Sequence, residues 1–164
     1  MTVSAVFNGQ QSWKIPLING SNPQLDQNLL DHEQQHYNIT ALVARDLFTQ
    51  LMQERLIVYK TQLEVSNSFN QWKTSYWNQV AAIQKEYDDE TGHSQANVFV
   101  PSTNIFTPPE SYQKGGPQRK WEGLIASAFT ATRPGGGTLP DGTPYMKELT
   151  VFLKDAGITI TISS

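Results

Sequence analysis

Between Pro23 and Gly92 the chain contains neither glycine nor proline. Nothing in that stretch stops a helix, because those two residues are the usual breakers. Leu25, Leu29, His32, His36, Ile39, Val43, Leu47 and Leu51 recur at spacings of three and four, the signature of one helical face. The pattern predicts a helix running to roughly Tyr59 and a second long helix behind it. The second has its own stripe, Phe69, Trp72, Tyr76, Val80, Ile83 and Tyr87, and should stop at Gly92, where glycine can take the left-handed conformation that ends helices. Two long helices joined by a short connection normally pack antiparallel. The end of the second then returns to the level of the beginning of the first.

The flanks are less regular. Residues 3–18 hold β-friendly pieces (VSAVF, SWKIPL) that end at the turn signal NGSNP. After Gly92 come a short strand candidate, NVFVP, and the loop TPPESYQKGGP. Residues 118–132 read as a helix that Gly123 weakens. The glycine and proline stretch at 133–144 has the length of a functional lid or a mobile tip. YMKELTVFLKDAG reads as a helix opened by Thr143 as cap and Pro144 at its first position, and ITITI as a final strand. With 164 residues the chain has the size of one domain, able to close a core without staples. The fold expected over residues 1–164 is α+β, with a small β-sheet of N-terminal and C-terminal strands packed on the two long antiparallel helices.

A net charge of -3, with 12 scattered basic residues, argues against nucleic acid and against an anionic membrane surface as partners. No segment approaches the length of a membrane span. The first residues lack the basic and apolar regions of a signal peptide. The expectation is a cytosolic chain or an exported one whose signal has been removed, and the 16% of charged residues leans towards export. Without cysteine, any metal must be held by imidazole and carboxylate.

Two of the three histidines stand in His32-Glu33-x-x-His36. Histidines at i and i+4 point the same way from one helix and can give a zinc ion two ligands at about 2.0–2.1 Å. Glu33 projects to one side, where it can reach water on the metal without coordinating. Zinc would lower the pKa of that water to about 7, Glu33 would take its proton, and a polarised carbonyl would be attacked. A polar residue pair on an ordinary helix is the plainer alternative, but both rings lie on the inward stripe, and buried imidazoles need partners. The glycine and third histidine of a metzincin are absent, since Ile39 and Leu42 hold those places. His93, just past the second helix, is one candidate for the third ligand, and Glu86 and Glu90 are its rivals.

LLDHEQQHYNITALVARDL and YDDETGHS together resemble a family of predicted secreted zinc-dependent bacterial proteases. In that family an H-E-Q-x-H-[FY]-x-I-x-x-x-x-A-R segment is followed, after a long helix, by Y-D-x-x-T-x-H. His32, Glu33, Gln34, His36, Tyr37, Ile39, Ala44 and Arg45 match the first segment, and Tyr87, Asp88, Thr91 and His93 the second. The match covers about 70 residues; residues 95–164 have no counterpart. The resemblance implies a zincin-like zinc metallopeptidase acting on a peptide or protein substrate, with His93 as third ligand. It makes Asp88 a carboxylate that orients a ligand histidine by accepting its other N–H. Tyr87 becomes a candidate donor to the developing oxyanion, although it also continues the apolar stripe. Arg45 reads as a structural partner for a carboxylate, and Asp46 as too far along the helix to bind the metal. An extended substrate would add to a sheet edge. The competing expectation is a metal-binding or protein-interaction module that keeps the fold without turnover.

Overall fold

The computed structural model describes residues 23–54, 57–92, 116–139 and 141–162. Its helices are α1 (Pro23–Glu54), α2 (Gln62–Thr91), α3 (Pro117–Ala128) and α4 (Leu149–Asp155). The first helix ends before Tyr59 because the connection has partners of its own. The Tyr59 hydroxyl donates to Glu54 and lies 2.8 Å from Ser68 Oγ. Thr61 then opens α2 with a capping box: its hydroxyl accepts the Glu64 N–H while the Glu64 carboxylate accepts the Thr61 N–H. At the other end Gly92 closes α2 in the left-handed conformation, with φ at 68°.

The two long helices run antiparallel, so residues near the start of α1 meet residues near the end of α2. Gln84 Nε2, for instance, donates to Thr40 Oγ1 at 3.0 Å. Across their seam lies α3, which buries Gln118, Trp121, Ile125 and Ala128 from one face. Ile39, Leu42, Val43, Ile83 and Tyr87 meet Trp121, Ile125, Leu149, Leu153 and Ile158 in a single core. Each such apolar side chain contributes roughly 1.5–3 kcal/mol by leaving water. Of the tryptophans in the described residues, Trp121 is fully buried and Trp72 packs against the core, whereas Trp77 is 71% exposed.

The α+β expectation is corrected. The described residues are 71% helical and contain no sheet, only the isolated bridges Thr132↔Met146 and Thr138↔Pro144. The ITITI segment does alternate, with Ile158 buried, Ile160 packed against the core and Thr159 and Thr161 exposed. Its inner face is satisfied by packing on helices, and a two-residue period cannot distinguish that from a ladder partner. The strand candidates at 3–18 and 97–101 lie outside the described residues.

The helix expected from Pro144 begins at Leu149. Tyr145 and Lys147 are engaged in backbone pairing with Gly137 and Ala131, which keeps them out of a helix. Residues 133–139 and 141–144 pair back on each other as a hairpin, with Leu139 N–H donating to Thr143 O and Arg133 paired with Glu148 at its base. Asp46, far from any ligand role, caps α4 from α1: its Oδ2 accepts the Leu149 N–H at 2.7 Å. Arg45 donates to Asp46 Oδ1 and to the carbonyls of Ala128 and Lys147, tying α1 to the ends of two other segments. No described helix is long and apolar enough to cross a membrane.

Candidate metal centre

Near the start of α1, His32 and His36 project one turn apart towards the last turns of α2. Their Nε2 atoms stand 3.2 Å from each other. Asp88 Oδ1 lies 3.1 Å from the first and 3.0 Å from the second. Among the described residues these three side chains form the group able to share a metal ion. A tetrahedral ion with bonds of about 2.0–2.1 Å has ligand–ligand edges of about 3.3–3.4 Å, so the three atoms already outline most of one tetrahedral face.

Electrostatics favours a cation there. A carboxylate oxygen and two imidazole nitrogens converge on one point, and in neutral rings each nitrogen on that point carries either a lone pair or a single proton. Burial holds the His36 imidazole below the ordinary value for histidine, against the pull of Asp88, which favours the neutral, ligating form. His32 is buried, while His36 and Asp88 keep about a fifth of their side-chain surface in solvent. Among the described residues the centre is therefore walled on the His32 side and open on the other. Glu33, one residue along α1, is exposed.

The wall is built from α2 and α3. The Tyr87 ring stacks on His32 with centroids 4.6 Å apart and meets His36 edge-on at 5.0 Å. Its hydroxyl, fully buried with the rest of the ring, donates to Gln118 Oε1 at 2.8 Å and lies 3.3 Å from the His32 carbonyl. His32 turns its outer nitrogen, Nδ1, to the same Gln118 oxygen at 3.3 Å. At the end of α2 the Thr91 hydroxyl donates to Tyr87 O, holding the final turn together.

Of the residues singled out in the sequence, the structure thus brings together His32, His36, Tyr87 and Asp88, with Glu33 beside them. Asp88 faces the inner nitrogens of both rings. His93 lies outside the described residues. The rival carboxylate Glu90 stands apart from the group, where it accepts Trp121 Nε1–H at 2.9 Å and the Lys120 ammonium at 3.2 Å. Glu86 is not in the group either. The sequence patterns do not single out Gln118, although a signal is present: it sits on the buried face of α3, three residues before Trp121 and seven before Ile125, a polar residue on an apolar stripe.

Compared with models of protein families, with curated proteins and with solved structures, the chain matches none.

Proposed function

We propose that the chain is a zinc-dependent metallopeptidase. The observation that carries this reading is the convergence of His32 Nε2, His36 Nε2 and Asp88 Oδ1 to within 3.2 Å of one another, beside an exposed glutamate one residue from the first ligand. His32 and His36 are the two ligands that α1 supplies. For the third place the geometry offers Asp88, and the second motif segment proposes His93. Three protein ligands leave the fourth position for water, which hydrolysis needs.

Zinc in such a site supplies a Lewis acid that lowers the pKa of water to about 7 and polarises a carbonyl. Glu33 takes a proton from the attacking water and returns it to the leaving amine. Tyr87 holds the two imidazoles against its ring. Its hydroxyl is shared between Gln118 and the His32 carbonyl, so service to an oxyanion, the role proposed from the motif, requires that it leave both.

Glu33→Gln in the full chain, assayed on a mixture of unstructured peptides, tests this reading. The variant should bind zinc as the parent does and lose at least about a hundredfold in turnover, the usual scale for a positioned acid–base group. Undiminished hydrolysis excludes Glu33 as the base. A metal-holding module without turnover is the second reading, favoured by one observation: Asp88 already faces the site, and with His93 added, four protein ligands would close it. Zinc content in Asp88→Ala and His93→Ala separates the two. Loss in one alone leaves a three-ligand site, and loss in both a closed one.

A further inference from the structure

The buried amide of Gln118 has its orientation fixed by its other neighbour. Gln118 Nε2 donates to Glu122 Oε1 at 3.2 Å, and an ionised carboxylate can only accept. The amide oxygen must therefore be the end that faces His32 and Tyr87. It receives the Tyr87 hydroxyl proton at 2.8 Å and lies 3.3 Å from His32 Nδ1. An amide oxygen cannot donate, so His32 must carry a proton on Nδ1 to make that bond. The other nitrogen, Nε2, faces His36 and lies 3.1 Å from Asp88 Oδ1, so a metal ion shared by these groups would replace any proton there while the Nδ1 proton stays with Gln118.

We infer that Gln118 is a positioning residue that holds the Nδ1 side of the His32 ring and so reserves Nε2, the nitrogen facing His36 and Asp88, for a metal ion. The inference rests on the proposed metal centre and assigns α3 a part in it. Gln118 is fully buried, sits on the core-facing side of α3 and is held by its own helix through Glu122. The ring of His32 is thereby fixed from three sides: by the α1 backbone, by the Tyr87 ring and by the amide. Outer partners of this kind typically change metal affinity by about 10–100-fold when removed.

The test uses the full chain, with zinc itself as the probe. In zinc-loaded wild-type protein, two-bond proton–nitrogen correlation spectra of the imidazoles should show the His32 proton on Nδ1 and the metal on Nε2. Zinc on Nδ1, with the proton on Nε2, overturns the inference without any variant. Gln118→Met keeps the volume and removes the acceptor, and should weaken zinc binding about 10–100-fold. Gln118→Glu combined with Glu122→Gln restores the acceptor towards His32, keeps a donor–acceptor pair within α3, and should recover the affinity or exceed it, a rescue that a packing role alone would not give. Zinc affinity unchanged in Gln118→Met, or lost equally in both variants, contradicts the assignment while the metal centre stands. Folded wild-type protein that binds no zinc removes the centre and the inference together.

Discussion

Tyr76 is almost fully buried in the core, and its environment opposes ionisation. Burial raises its pKa above the ordinary value near 10, Glu148 and Asp46 add to the rise, and Arg133 partly offsets it. The folded phenol therefore holds its proton more tightly than the unfolded one. Its contribution to stability is complete below about pH 10 and is lost as pH rises towards the folded value. Urea unfolding between pH 9 and 11 should show stability falling with pH in the wild type and falling less steeply in Tyr76→Phe; parallel curves would contradict this. Asp46 is a second test at the same scale. Burial pushes its carboxyl up against the pull of Arg45, and it satisfies both the guanidinium and the α4 N-terminus. Asp46→Ala leaves Arg45 with only its two carbonyl acceptors and the Leu149 N–H without its partner, and should cost roughly 2–4 kcal/mol in chemical denaturation, near the scale for breaking a buried pair. A cost below about 1 kcal/mol would mean that the pair is only a surface contact.

Helix boundaries carry their own predictions. Thr61→Ala removes one half of the capping box that opens α2 and should cost about 1 kcal/mol. Gly92→Ala meets no atom within 4 Å, so its cost is conformational, about 1–2 kcal/mol for a left-handed residue. The stop of α2 was legible because the apolar stripe and the terminal glycine agreed, whereas its start, set by the Thr61–Glu64 capping box, was not, and Phe69 of the stripe is exposed. The end of α1 was not legible, since Tyr59 closes the connection through a contact with Ser68 that no local pattern encodes. Nor was the start of α4. Thr143 and Pro144 carry the local signs of a helix opening, but pairing with Ala131 and Gly137 holds the neighbouring backbone, and the actual cap comes from Asp46, 103 residues earlier. The missing sheet has the same origin: the alternation in ITITI reports one buried face and leaves its partner unspecified.

At the scale of the molecule, the candidate centre joins three helices, α1 and α2 through the ligand atoms and α3 through Gln118. His32, His36 and the neighbourhood of Asp88 were legible because helical spacing and antiparallel pairing follow from local rules. The inward-facing carboxylate and the contribution of α3 depend on how helices pack, which spacing does not reveal. A metal bound to the folded chain alone must stabilise it by mass action, by about 2.7 kcal/mol when free zinc is a hundred times its dissociation constant. Thermal unfolding should therefore shift upward with zinc in the wild type and not in His32→Ala. The most direct measurement is an anomalous-scattering map at the zinc edge from crystals grown with zinc. The account expects one strong peak about 2.0–2.1 Å from His32 Nε2 and His36 Nε2, with a carboxylate or third imidazole at similar distance. A map without a peak between these two rings, from protein that is otherwise folded as described, would contradict it.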